Sequence, residues 1–329
     1  MGKLHLTLAL SEYDHTRDVC SGVVPVEGVD LTYLNLPIEE MHFRFTKFLE
    51  WDVSEMSLGK YASLLSQEDR SMVAIPVFPN RTFRHSSLYV RRESELTDPK
   101  QLAGKRVGVP EWAQTAGIYT RGDLTHQYGV RLSAIEWWQA GVSQPGRVEK
   151  VELRLPEGVT IHRAPEKTLT GMLLAGELDA VMSAHPPEPF KRGEPGIVRL
   201  FHDVQPVEET YWRTTGIFPI MHVVAIRRDV YDRSRWVAMN LYKAFDEARR
   251  RSVARISELT ASRVPIPWMA DYVNRWRGLF GPDYWPYGLE PNRTTLDAFC
   301  QYAFEQGVCH RKVASDELFP PEVLSTFRI

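Results

Sequence analysis

Apolar and polar positions alternate at the start of the chain, with Leu4, Leu6 and Leu8 set against His5 and Thr7. That two-residue period predicts a strand over residues 4–9. A polar turn over residues 11–18 separates it from apolar segments at 23–26 and 31–36, which predict more extended chain. Residues 41–49 have the three-and-four spacing of an amphipathic helix. A short strand at 53–58 is then expected to run into a helix carrying Tyr61, Leu64 and Leu65. Residues 73–78 and 86–90 read as extended, because Pro76 and Pro79 forbid a continuous helix between them. Strands are also expected at 105–109, 135–138 and 160–163.

Two later stretches are clearer. Residues 168–175 are helical, Gly176 closes the helix, and residues 178–183 follow as a buried strand that ends at Ala184-His185-Pro186-Pro187. Residues 220–226 read as a strand. Val237, Leu241, Ala244, Phe245, Ala248, Ile256 and Leu259 then keep helical spacing, with Arg249, Arg250, Arg251 and Arg255 on other faces. Asp246 and Glu247 beside those arginines argue for a solvated helix rather than a nucleic-acid surface. Thr294 and Asp297 are spaced as a capping box opening a helix that ends near Gly307.

The chain of 329 residues is long enough for two cores. Forty basic and forty-two acidic side chains leave a formal charge of −2, so recognition rests on local charge. No apolar run reaches membrane-spanning length. The opening strand pattern differs from a signal peptide, and Cys20, Cys300 and Cys309 lack a CxxC spacing, so a reducing cytoplasm is expected. GxGxxG, Walker and GxSxG motifs are absent, which removes nucleotide enzymes and serine hydrolases. HExxH and paired-cysteine motifs are absent as well. No cofactor is expected, and a divalent metal is left open only as an assembly of distant histidines and carboxylates.

Candidate chemistry gathers at the predicted strand ends. Asp14-His15-Thr16-Arg17, Arg81-Thr82-Phe83-Arg84-His85, Ala184-His185 and Met221-His222 place histidines and arginines where ligands of α/β sheets bind. Guanidinium groups hold carboxylates through paired hydrogen bonds, and imidazoles move protons near neutral pH. Trp112, Trp137, Trp138 and Phe83 are candidate walls for a planar ligand. Glu55 lies in an apolar segment. Gln114 or Thr115 stands at an N-cap position, and the helix beyond it would offer free N–H groups to an anion.

The segment Gly104-Lys105-Arg106-Val107-Gly108-Val109-Pro110 with Thr115-Ala116 resembles the opening of the second lobe in type 2 periplasmic-binding-protein folds. With Tyr13-Asp14-His15-Thr16-Arg17, Glu55-Met56-Ser57, Arg81-Thr82-Phe83-Arg84-His85 and Trp285-Pro286-Tyr287-Gly288-Leu289-Glu290-Pro291-Asn292-Arg293, the whole chain resembles the 4,5-dihydroxyphthalate decarboxylase family. The resemblance implies an α/β two-lobe clamp, each lobe a mixed sheet flanked by helices, with the ligand cleft between lobes. The expected division is residues 1–90 plus 221–329 for lobe 1 and 91–220 for lobe 2, with the first crossing at 86–91. The implied reaction is non-oxidative loss of carbon dioxide from 4,5-dihydroxyphthalate or a close hydroxylated aromatic acid, giving protocatechuate. The alternative is a cytoplasmic binding protein for an aromatic or dicarboxylic acid without catalysis. His15 and His85 are the expected proton-transfer pair, with His185 as substitute and Asp14 orienting His15. Substrate contacts are expected from Arg17, Arg81, Arg84, Phe83, Glu55, Ser57, Trp112, Thr115, Ala116 and His222. The expected partner is the small aromatic acid, with no nucleic acid and no membrane, and a homo-oligomer is left open.

Overall fold

The computed structural model describes residues 2–258, 260–261 and 263–325. The opening alternation forms β1 (Leu4–Ala9), and α1 (Arg17–Cys20) connects it to β2 (Val29–Leu34). These strands pair in parallel, Leu4 opposite Val29 through Ala9 opposite Leu34. α2 (Ile38–Phe48), β3 (Val53–Ser57), α3 (Leu58–Ser66) and β4 (Met72–Ile75) follow. The chain then builds β5 (Leu88–Arg91), β6 (Arg106–Val109), α4 (Thr115–His126), β7 (Glu136–Gly141), β8 (Ile161–Thr168), α5 (Leu169–Leu174) and β9 (Ala180–Met182). After α6 (Glu188–Lys191), β10 (Ile197–Arg199) and α7 (Val204–Thr215), it returns through β11 (His222–Arg227). α8 (Arg228–Arg233), α9 (Trp236–Ile256), α10 (Met269–Phe280) and α11 (Arg293–Glu305) complete it.

Two sheets result, one in the order β2-β1-β3-β11-β4 and the other β10-β5-β9-β6-β7-β8. Both are mixed: β11 runs antiparallel between β3 and β4, and β5 runs antiparallel between β9 and β10. All five residues of β3 are buried, as befits a central strand covered on both faces.

Sheet membership moves the expected lobe boundary. Leu88–Arg91 is already a strand of the second sheet, so the first crossing lies upstream of residues 86–91. Arg81 and Ile220 form an isolated antiparallel bridge, which sets the outgoing and returning segments side by side. The C-terminal part also departs from a simple assignment to lobe 1, because α11 packs on both α3 and α4. The Gln306 carbonyl accepts from Trp112 Nε1 at 2.8 Å, its Oε1 accepts from Arg121 Nε at 2.9 Å, and its Nε2 donates to the Ile118 carbonyl at 2.8 Å. This segment keys the second unit to the first.

Several local expectations need revising. Residues 23–26 form no strand, and Val24 and Val26 are instead buried in a loop. Thr294 does not cap α11, because the helix continues from a 3-10 turn at Glu290–Asn292 and its N-cap is Asn292, without a side-chain cap. Leu259 lies outside the described residues. Helices α7 and α10 were not expected; each buries a single residue, Tyr211 and Val273. Among the described residues no helix is long and apolar enough to cross a membrane.

Candidate active site

A cavity of about 240 Å³ opens between the two sheets. A dry cavity of roughly 150 Å³ accommodates benzene, so this one has room for a substituted ring. The first unit supplies Ile38, Glu39 and His42 from α2, Ser57 at the end of β3, Lys60 from α3, and His222 from the start of β11. The second supplies Glu111, Gln114, Thr115 and Ala116 at the start of α4, Arg147, Lys150, Ala184 and His185, and the connecting segment adds Asn80, Thr82 and Arg84.

The two walls meet through a close approach of helices. The Thr115 hydroxyl accepts from the Gly59 N–H at 2.9 Å and lies 3.0 Å from the Ser57 hydroxyl. A Cβ on Gly59 would stand 2.6 Å from the Ala113 carbonyl oxygen, so only glycine permits this distance. The N-terminus of α4 consequently opens into the cavity with Gln114 as its N-cap and no side-chain cap, leaving N–H groups available to an anion.

Charge is arranged across the cleft. Glu111, 1% exposed, ion-pairs with Arg147 at 2.5 Å, Lys150 at 3.3 Å and Lys60 at 3.4 Å. Burial by itself would push the Glu111 carboxyl up, but the three cations hold it below its ordinary value. Burial lowers the Lys60 ammonium, with Glu111 opposing the shift. At the mouth Glu39 accepts from Arg147 at 2.8 Å and lies 3.3 Å from His185 Nε2, and these contacts hold its carboxyl low. Arg84 has no ion-pair partner among the described residues; its Nε lies 3.1 Å from Met221 Sδ, and burial lowers its pKa to about 10. Four cations therefore line the cavity against two carboxylates, Glu39 and Glu111, which suits a dianion.

On the opposite side of the charge balance stands an imidazole–carboxylate pair. Glu55 is fully buried; its Oε1 accepts from the Tyr13 hydroxyl at 2.6 Å and lies 2.5 Å from His222 Nδ1, while its Oε2 accepts from the Ser11 N–H at 3.0 Å. Residue 222 thus has its ring orientation fixed by a carboxylate, the arrangement of an acid–base histidine. His42 packs edge-on against His222 with ring centroids 4.6 Å apart.

The structure thus gathers Ser57, Arg84, Thr115, Ala116, His185 and His222 around one cavity, with Glu55 directly behind His222. The remaining candidates lie elsewhere. His15 packs among Tyr13, Trp285 and Tyr287, and burial lowers its pKa to about 4. His85 is buried among Tyr128, Phe201 and Tyr211, and burial likewise lowers it to about 4. Neither His15 nor His85 is among the described residues lining this cavity. Asp14 and Arg17 pair with each other at 3.1 Å, Asp14 also accepts from Ser252 and Arg255, and neither lines the cavity. Arg81 donates to the Phe218 carbonyl at 3.0 Å and stacks on the Phe218 ring, a structural role. Phe83 stacks on Phe218 and lines a separate aromatic cavity, and Trp112 is wholly buried beneath Arg121. His42, Lys60, Glu111, Arg147 and Lys150 were missed. Lys60 alone left a trace, as a lysine inside the otherwise uncharged helix Leu58–Ser66.

Comparison with known proteins decides the family. No protein-family model matches the chain. A curated 4,5-dihydroxyphthalate decarboxylase of Comamonas testosteroni is 36% identical over 330 residues, covering all of both chains. The chain belongs to the 4,5-dihydroxyphthalate decarboxylase family. A second relative with that description, from Pseudomonas putida, is 37% identical over 214 residues, spanning 65% of this chain and 83% of the relative. Among solved structures, the periplasmic aliphatic sulphonate binding protein SsuA from Escherichia coli superposes with a TM-score of 0.54 at 12% identity, covering 98% of this chain and 99% of that one. The fold is the two-lobe periplasmic-binding-protein clamp, and this family member carries its polar cavity in the cleft of that clamp.

Proposed function

We propose that the protein removes carbon dioxide from 4,5-dihydroxyphthalate to give protocatechuate, without oxidation, in the cleft between the two sheets. The observation that carries this reading is the cavity itself, where an excess of cations and a carboxylate-oriented histidine face one ring-sized space. Family membership along the full chain supports the substrate.

The chemistry requires both features. Direct loss of carbon dioxide from an aryl ring leaves an sp² carbanion with nothing to stabilise it, so the ring carbon must be protonated first. Each carboxylate of the substrate is para to a hydroxyl. Removing that hydroxyl proton pushes electron density onto the carboxylate-bearing carbon, which then accepts a proton. The bond to the carboxylate breaks, its electron pair returns to the ring, and the hydroxyl is reprotonated.

His222, held by Glu55, serves the hydroxyl end, and His185 from the opposite wall supplies the proton to carbon. General acid–base assistance of this kind contributes ~10²–10⁴-fold. Arg84, Lys60 and the N–H groups at the start of α4 hold the carboxylate that remains. Gripping the departing one would stabilise the ground state against reaction. The three cysteines are free, and Cys300 and Cys309 are buried, in keeping with a reducing compartment, so we place the reaction in the cytoplasm.

Incubation of purified protein with 4,5-dihydroxyphthalate, followed by chromatography and mass, tests the reading. One protocatechuate and one carbon dioxide per substrate consumed are expected. Saturable binding with intact substrate would establish a binding protein instead.

A further inference from the structure

Three side chains of metal-binding type converge at the wall of the cavity that the first unit builds. His42, Glu55 and His222 each present one ligand atom within 4.8 Å of the other two. Their surroundings are unequal. Both oxygens of Glu55 are engaged, by Tyr13, His222 and the Ser11 N–H. His42 is 5% exposed, lines the cavity, and its Nε2 has no hydrogen-bond partner. A buried polar nitrogen left in that state costs roughly 1–3 kcal/mol. The fold therefore holds an imidazole with an unused lone pair or proton beside a histidine–carboxylate pair.

We propose that His42, Glu55 and His222 hold a divalent first-row transition cation of the manganese, cobalt or zinc class, whose open positions take the two adjacent hydroxyl oxygens of the aromatic substrate. The proposal rests on the reading of the cleft as the dihydroxyphthalate site. Two imidazoles and one carboxylate suit such ions and leave coordination positions vacant, unlike a closed structural site. An ion between Glu55 and His222 replaces the proton they share, and requires their 2.5 Å contact to open to roughly 3 Å, the edge of a shell with ~2.1 Å bonds. Tyr13 and Ser11 fix the carboxylate from behind, the outer support that metal ligands use.

The ion performs no redox step. Chelation releases the two hydroxyl protons to water, and the positive charge keeps both oxygens deprotonated. Electron density then reaches the para carbon, as decarboxylation demands, and His222 still serves the hydroxyl end, through the ion it helps to hold. Lys60 and Lys150 line the same cavity as His42, so the cation binds the empty cleft weakly and an anionic catechol strengthens it.

The test uses the full chain, treated with a chelator, dialysed, and titrated with Co²⁺ while the visible d–d absorption is followed. One cobalt per chain is expected, with a spectrum that changes on adding protocatechuate, which carries adjacent hydroxyls, and not on adding phthalate, which carries none. Affinity should fall at least roughly 100-fold in His42→Gln and in His222→Gln, with circular dichroism showing that each variant is folded. The absence of a one-to-one site in the wild-type protein would overturn the proposal, as would equal cobalt affinity in the folded variants or the same spectral change with phthalate. Full-rate turnover by the metal-free protein would overturn the cation and leave the decarboxylase reading standing. Cobalt bound one to one beside unconsumed dihydroxyphthalate would overturn the reading of the cleft instead.

Discussion

Replacing Arg84 by methionine separates binding from stability. The guanidinium is held at the cavity wall without an ion-pair partner among the described residues, and burial lowers its pKa well below the ordinary arginine value, to about 10. At about 1.4 kcal/mol per pH unit, keeping it charged costs ~3 kcal/mol, and water in the open cleft reduces the net figure to about 1–3 kcal/mol. Arg84→Met keeps most of the stem and removes the charge, so the ligand-free protein should become more stable by about that amount. The substrate loses a charge-assisted hydrogen-bond partner worth about 1.5–3 kcal/mol. KM should therefore rise roughly 10- to 150-fold while kcat changes little. Steady-state kinetics and urea unfolding of the ligand-free variant measure the two effects. An unchanged KM would refute the carboxylate-holding role, and a destabilised ligand-free protein would refute the claim that this cation is stored at a cost.

Four further substitutions probe other parts of the structure. His85→Phe should leave kcat within a few-fold of wild type, because His85 sits in an aromatic pocket, whereas His222→Gln should lose roughly 10²–10⁴-fold in kcat; equal effects would contradict the placement of the chemistry. Buried Asp123 is raised by burial to about 8, so the folded state binds its proton more tightly than the unfolded chain does. Its contribution is complete below pH ~4 and is lost as pH rises to about 8, by as much as about 5 kcal/mol. Asp123→Asn should thus gain stability relative to wild type between pH 5 and pH 9 in denaturant titrations, and parallel curves would contradict this. Gly59→Ala forces a Cβ to 2.6 Å from the Ala113 carbonyl oxygen, so it should cost about 1–3 kcal/mol in thermal unfolding and raise KM by parting the two walls; an undisturbed KM would show that this contact does not set the cleft.

Much of the fold was legible because its signals are local. The alternation of residues 4–9 specifies β1 without help, and Gly176, at φ 75°, closes α5 as its position suggested. The arrangement at residues 114–116 was also readable, since strand, proline and cap residues adjoin in sequence. α10 was missed although Met269, Tyr272, Val273, Trp276 and Phe280 keep helical spacing in the sequence, and α7 carries only Val204, Val207 and Tyr211 at that spacing among polar neighbours. The site divides in the same way. Ser57, Thr115, His185 and His222 stand at or beside the ends of strands and helices, where sequence position predicts a cleft. His15 and His85 occupy similar positions, yet distant aromatics take them away from the cavity: Trp285 and Tyr287 enclose one, Tyr128, Phe201 and Tyr211 the other. Conversely, His42 lies within an amphipathic helix and Glu111 beside a tryptophan, and only their tertiary neighbours reveal what they hold.

The most direct measurement is a crystal structure of the His222→Gln variant soaked with 4,5-dihydroxyphthalate. The ring is expected in the cleft, with one carboxylate against Arg84 and the start of α4 and the hydroxyls facing His42 and residue 222. Substrate in the aromatic cavity beside Phe83 and Trp285, or turned with its carboxylates toward His42, would contradict the assignment.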